Sequence, residues 1–274
     1  MQHINVVKLA LILLFSLSKN TGSAVINSRN ALDKWLFNAR IYNGEEVVPH
    51  SIPYQAALNI QTSTGKLVFC GGSLISTNYV LTAAHCLFYA TSVEVILGAH
   101  DLNDAEIPTR VNSTVFILHE DFIYTVANDI AVIKLPEPIE FTEKIQRVDL
   151  PTHSDRGNAF VDYPAVVSGW GRTEVEAGVS DVLLSINTTI ITSEMCAFFL
   201  GDKVKSDLHI CTTGVEFKAP CNGDSGGPLV IDNVQVGIVS FGFVLGCSFG
   251  FPNGYTRITH YLDWIQEKTD AYVL

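Results

Sequence analysis

The chain contains no apolar run approaching the roughly 18 residues that a membrane-spanning helix needs, so it does not read as an integral membrane protein. Nor has it a cluster of lysines and arginines. Seventeen basic residues face 28 acidic ones, for a formal charge of −11, and a surface of that sign repels nucleic acid and anionic membranes alike. No C-x-x-C pair occurs, which removes the commonest spacing for zinc ligands. There is also no internal repeat and no linker rich in proline, glycine or serine. What remains is a chain of 274 residues, 47% apolar, with six cysteines. It is long enough to bury a core without metal or cofactor, and its cysteine count fits three disulfides in an oxidising compartment.

The first 40 residues read as processing segments. Met1 to Lys8 carries one positive charge, Leu9 to Leu17 is apolar, and Gly22-Ser23-Ala24 offers small residues for a signal peptidase. That order is the secretory one, and it predicts a signal peptide over 1–24 and an extracellular destination. Residues 25–40 have no cysteine and end in Ala39-Arg40 before Ile41-Tyr42-Asn43-Gly44. Arg40 is a candidate cleavage site for a trypsin-like protease, which makes 25–40 a propeptide and 41–274 the working domain. Loss of residues 1–40 together would remove five basic residues and one acid, and would take the formal charge from −11 to −15.

The body reads as all-β. Short β-branched and apolar runs alternate with Gly, Pro, Asn and Asp: Tyr79 to Thr82, Val93 to Gly98, Thr114 to Leu118, Ile130 to Leu135, Ala165 to Gly169, Val182 to Thr192, Leu229 to Ile231 and Val234 to Phe241. Strands at this spacing point to a sandwich or barrel. One helix is expected, over Thr259 to Thr269, with Thr259 as N-cap and Tyr261, Leu262 and Ile265 on one face.

Three separated segments carry chemistry. In Gly223-Asp224-Ser225-Gly226-Gly227-Pro228, glycines let the backbone turn tightly, and the amides of Gly223 and Ser225 can converge on one point. A serine there could attack a carbonyl, provided that a base and oxyanion donors are near. In Leu81-Thr82-Ala83-Ala84-His85-Cys86, small residues and a cysteine would hold an imidazole at a strand end. In Asn128-Asp129-Ile130-Ala131-Val132, an acid sits at the mouth of an apolar strand. Each alone has an ordinary reading as turn or structural residue, and the other seven histidines keep that reading.

Together, in the order His85, Asp129, Ser225, these segments resemble the chymotrypsin-fold serine endopeptidases. The resemblance runs from Ile41 to the closing helix, about 234 residues. Val48 to Gln55, Cys70 to Ser76, Ser240-Phe241-Gly242, Gly250-Phe251-Pro252 and Tyr261 to Ile265 are similar to the brachyurin branch of arthropod collagenases and insect chymotrypsins. The resemblance implies two packed, antiparallel six-stranded β-barrels with a C-terminal α-helix. It implies His85, Asp129 and Ser225 as catalytic residues, the amides of Gly223 and Ser225 as oxyanion donors, and Asp224 as the partner of the Ile41 amine after cleavage behind Arg40. It also implies disulfides Cys70–Cys86, Cys196–Cys211 and Cys221–Cys247, where the cysteine count alone allows fifteen pairings. Closing the first of these loops is worth about 3 kcal/mol in the chain-entropy picture.

The same resemblance puts Ala219 at the floor of the specificity pocket, Gly242 and Asn253 at its walls, and Ser240 to Gly242 along an extended substrate. With no acid at Ala219 and none at Asn253, the pocket should take apolar or aromatic residues. Asp101, Asp104 and Glu106 are acidic, but Ala99 stands where the first carboxylate of a calcium loop would be, so no metal and no cofactor is expected. Sequons at Asn112 and Asn187 mark possible glycosylation. The implied partners are protein or peptide substrates, a trypsin-like activating protease and protein protease inhibitors, and the implied state is a monomer. The rival reading is a catalytically inactive homologue acting as a binding or regulatory protein. It sits poorly with a sequence that keeps His85, Asp129, Ser225, Gly223, Asp224 and Arg40.

Overall fold

Runs of four to eight apolar and β-branched residues satisfy their backbone groups by pairing, and in the computed structural model they pair as two antiparallel sheets. The structure describes residues 44–106, 109–173, 178–242 and 246–273. The expected signal peptide (1–24) and propeptide (25–40), and with them Arg40 and Ile41, lie outside the described residues.

The first sheet takes β2 (Gln55–Thr62), β3 (Leu67–Leu74), β4 (Tyr79–Thr82), β5 (Ala90–Leu97), β6 (Thr109–Ser113), β7 (Phe116–Leu118) and β8 (Ala131–Lys134), in the order β6-β5-β2-β3-β4-β8-β7. A short β1 (Glu45–Glu46) precedes them, and a one-turn helix α1 (Ala84–Leu87) follows β4. Only Thr114 and Val115 separate β6 from β7, and the two are halves of one bent strand. At the bend, Ser113 Oγ donates to the Lys134 carbonyl (2.7 Å) and the Lys134 amide donates to Val115 O (2.9 Å). One half pairs with β5 and the other with β8, which curls the sheet. The strand expected at Thr114 to Leu118 therefore begins earlier and breaks at Thr114.

The second sheet contains β9 (Pro164–Gly169), β10 (Leu184–Ile191), β11 (His209–Thr212), β12 (Pro228–Ile231), β13 (Val234–Phe241) and β14 (Asn253–Arg257). Its order β10-β11-β14-β13-β12-β9 closes on itself because β9 pairs back with β10. It is a six-stranded barrel, with β1 attached to β10. The fold is thus all-β and antiparallel, as expected, with one closed six-stranded barrel and, in the place of the second expected barrel, a curled seven-stranded sheet.

Each unit buries its own apolar set. One core gathers Leu58, Ile60, Leu74, Val80, Leu81, Val95 and Val132, and the other gathers Val167, Ile186, Ile190, Ile210, Leu229 and Tyr255. Two helices complete the chain. In α2 (Ser193–Leu200) the Thr192 hydroxyl accepts from the Met195 amide, an N-cap of the ordinary kind. In α3 (Leu262–Lys268) the buried Leu262 and Ile265 pack into the first core beside Tyr261, the face expected from sequence. Thr259 is not its cap. It lies in a 3-10 turn (Ile258–His260), and α3 begins after Tyr261 with no side-chain cap. The expected Thr259 start merges that turn with the helix, because both bury apolar residues at helix-like spacing. No helix among the described residues is long and apolar enough to cross a membrane.

Candidate active site

Asp129 immediately precedes the apolar run Ile130 to Ile133 that β8 buries, and it is only 2% exposed. A carboxylate so placed must be satisfied by hydrogen bonds; three groups do so, and a fourth holds the residue's backbone. The His85 amide donates to Oδ1 (2.8 Å), His85 Nδ1 lies 2.8 Å from Oδ2, the Ser240 hydroxyl donates to Oδ2, and Thr256 Oγ1 from β14 donates to the Asp129 carbonyl (2.7 Å). The carboxylate fixes both the backbone and the ring of His85, and it requires the proton on Nδ1, which leaves Nε2 as the free basic nitrogen. Burial pulls the His85 pKa down, but the charge and hydrogen bond of Asp129 outweigh it and leave the imidazole above its ordinary 6.5.

Ser225 reaches the same place from the other sheet. Its carbonyl accepts from the Gly71 amide of β3 (2.8 Å), and the Cys70–Cys86 disulfide ties that strand to the residue after His85. No hydrogen bond joins His85 Nε2 to Ser225 among the described residues. Close packing explains the glycines. A Cβ on Gly71 would come within 3.0 Å of Gly227 Cα. Gly226 has φ +81°, and its Cβ would meet Thr82 Oγ1 at 2.1 Å. Gly226→Ala is expected to cost about 3 kcal/mol from overpacking and the positive φ, which for a domain of this size lowers Tm by roughly 6–12 °C. A calorimetric Tm within 2 °C (roughly, under 1 kcal/mol) of the parent would contradict the packing described.

Around Ser225 two amides stand free. Neither the Gly223 nor the Ser225 N–H donates to a protein acceptor among the described residues, whereas the Asp224, Gly226 and Gly227 amides all do. Gly223 holds φ +104°, a conformation suited to glycine. The Asp224 side chain points away from this turn into the interior and is fully buried. Its oxygens accept from the amides of Gly171 and Cys221, both at 2.8 Å. Burial pushes its pKa up to about 6 against the pull of those two hydrogen bonds.

Beside Ser225 opens a pocket of about 330 Å³, lined among others by Pro220, Ser240, Gly242 and Asn253 and bordered by the Cys221–Cys247 disulfide. All three implied disulfides are present.

Comparison with known proteins agrees with this arrangement. The family description "Trypsin" matches residues 41–265. The chain belongs to the trypsin family. Brachyurin from Leptuca pugilator is 43% identical over 84% of this chain and 98% of its own length. Chymotrypsin from Phaedon cochleariae is 43% identical over 84% and 82% respectively. Collagenase from Hypoderma lineatum is 38% identical over 94% and 97%. Among solved structures, HL collagenase superposes with a TM-score of 0.78 at 38% identity, covering 84% of this chain and 99% of that one. This trypsin-family chain is accordingly a chymotrypsin-like serine endopeptidase, acting on protein or peptide substrates, and its disulfides fit an extracellular setting.

Pro220 lines the pocket, and the preceding Ala219 is only 2% exposed. Lys218, next to it, is paired with Glu216 at 2.8 Å. Asn253 is nine-tenths buried and does line the pocket. Phe241 shares that wall, and its ring packs edge-on against the buried His209 (5.0 Å). His209 is a residue that sequence reasoning left as structural. Its Nε2 reaches the Val126 carbonyl (2.9 Å) in the loop leading to Asp129, while its Nδ1 accepts from the Lys205 amide (2.9 Å). A lone histidine in a four-residue strand offers no sequence signal for such a bridge. The sequon residues Asn112 and Asn187 are both exposed, on β6 and β10. A larger cavity of about 580 Å³, between Arg156, Glu194, Asp207 and Arg257, contains none of these site residues.

Proposed function

We propose that the protein is a secreted zymogen whose activated form cleaves peptide bonds after large apolar or aromatic residues, with Ser225 as nucleophile, His85 as base and Asp129 as its orienting acid. The observation that carries this reading is the doubly anchored His85–Asp129 pair, tied through the Cys70–Cys86 disulfide and the Gly71 amide to a serine whose own amide and that of Gly223 are unpaired among the described residues. Ser225 Oγ attacks the scissile carbonyl, and its proton passes to His85 Nε2. The proton is then delivered to the leaving amine, which departs with the new N-terminus. Asp129 holds the ring in the tautomer this needs and stabilises the imidazolium. The hydrogen bond from Ser225 to Nε2 forms as substrate closes the site, since catalytic hydrogen bonds commonly tighten only in the complex. The oxyanion takes the Gly223 and Ser225 amides, each worth about 2.7–4 kcal/mol in such sites. Water then repeats the sequence on the acyl-enzyme.

Activation follows from Asp224. A fully buried carboxylate held by two amides among the described residues is costly unless a cation joins it. Cleavage after Arg40 would supply the ammonium of Ile41, and that pair would set the Gly223–Ser225 turn. A trypsin-like protease performs that cut, and the mature enzyme works as a monomer without metal or cofactor, open to protein inhibitors and glycosylated at Asn112 or Asn187.

Specificity is read from the pocket. Its walls carry no acid, so lysine or arginine would be buried without a partner. A panel of fluorogenic peptides differing only in the residue before the cut should be fastest for Phe, Tyr, Leu or Met. A panel led by Arg or Lys would overturn this part of the reading.

The pH dependence also has a definite sign. His85 acts as base only when neutral, and its pKa is raised above 6.5, so the acid half-point of kcat/KM should lie above pH 6.5. The Ile41 amine, paired with a carboxylate, should hold its proton past the free value of about 8, and activity should fall only in alkali. An acid half-point below about pH 6 would contradict the His85–Asp129 geometry.

A further inference from the structure

We propose that Lys203 is a specificity residue: its ammonium selects substrates carrying an acidic side chain three or four residues before the cut, counting the pocket residue as the first. This inference rests on the proposed function, since it needs a substrate seated in the Ser225 pocket.

Lys203 follows α2, in the loop that leads to β11. Its Nζ stands 5.0 Å from the centroid of the Phe241 ring and 3.4 Å from the Gly242 carbonyl. These are its contacts among the described residues, and neither is with a carboxylate. The ring fixes the cation by its quadrupole, while 3.4 Å is long for an N–H···O bond. The ammonium is therefore placed but not neutralised.

Its position relative to the pocket gives that charge a target. Ser240, Phe241 and Gly242 line the pocket at the end of β13. A substrate laid antiparallel along this edge, as an added strand, puts one residue in the pocket opposite Ser240. The residue two places earlier then lies level with Gly242, and the next lies beyond it, within reach of Nζ through a Glu or Asp side chain. The formal charge of −11 otherwise repels an acidic peptide, so a placed cation here discriminates locally against that background.

The test uses the activated enzyme and matched peptides with one aromatic residue at the cut and Glu, Gln or Lys at the third or fourth position. An exposed ion pair of this kind should favour Glu over Gln by about three- to fivefold in kcat/KM, and the preference should shrink with added salt. Lys203→Gln should bring the Glu/Gln ratio to about one, Lys203→Glu should invert it, and Lys203→Arg should keep it. A parent enzyme that cuts after the aromatic residue without preferring Glu overturns the Lys203 assignment alone, as does a preference that survives Lys203→Gln. Failure to cut any of the peptides after the aromatic residue overturns the underlying function, and the inference with it.

Discussion

Ser225→Ala should lower kcat/KM on the preferred peptide by a factor of about 10⁴–10⁶ and leave the fold intact. The size follows from what the hydroxyl does. Without it no covalent intermediate forms, and His85 has no proton to take, so its precise tethering to Asp129 contributes nothing further. The remaining rate comes from the free amides of Gly223 and Ser225, which still stabilise an oxyanion when water attacks. Ser225 holds the fold through its backbone, the Gly71 N–H to Ser225 O bond, so the alanine variant should keep its Tm. His85→Ala should cost a similar factor, and combining the two should cost little more than either, because groups that act as one unit are not additive. A loss below about a hundredfold, or one accompanied by a large drop in Tm, would mean that Ser225 is a structural turn residue.

Arg40→Gln should leave the chain inactive in the presence of an activating trypsin-like protease. The argument is electrostatic. Asp224 is fully buried and its pKa is pushed up to about 6, so the two amides that hold it among the described residues support the ionised form poorly. Removing one partner of a buried pair costs about 3–5 kcal/mol, and at the turn that carries Gly223 and Ser225 this becomes about 10²–10⁴ in kcat/KM. Asp224→Asn in the cleaved enzyme should show a loss of the same order. Placing another protease's recognition sequence so that cleavage again frees Ile41 should restore activity in the Arg40→Gln background, which separates a failure of cleavage from a failure of folding. Full activity in the uncleaved chain would remove the Ile41–Asp224 pair from the account.

The proposed reacting groups are more legible in the sequence than the strands that carry them. Catalysis by serine demands a nucleophile among glycines, a histidine among small residues and an acid at a strand mouth, and those demands leave short, restrictive strings around Ser225, His85 and Asp129. The strands β3, β11 and β14 leave no such trace. β3 contains Gly71 and Gly72, β14 opens on Asn253-Gly254, and β11 has four residues, so local propensity reads all three as turn or loop. Tertiary pairing makes them strands, and the glycines are there because a Cβ at Gly71 or Gly254 would strike Gly227 or the Phe241 ring. The same cause hides Thr256 and His209 as supports of the Asp129 region, since their role depends on cross-sheet contacts with no fixed spacing.

The most direct test is reaction of the full-length protein, before and after treatment with a trypsin-like protease, with a serine-directed organophosphate, followed by mass spectrometry of the labelled peptide and N-terminal sequencing of the labelled chain. The account predicts a single adduct on Ser225, formed only on chains that begin at Ile41, with the uncleaved form unlabelled. An adduct elsewhere, no adduct on the cleaved chain, or labelled chains with another N-terminus would contradict it.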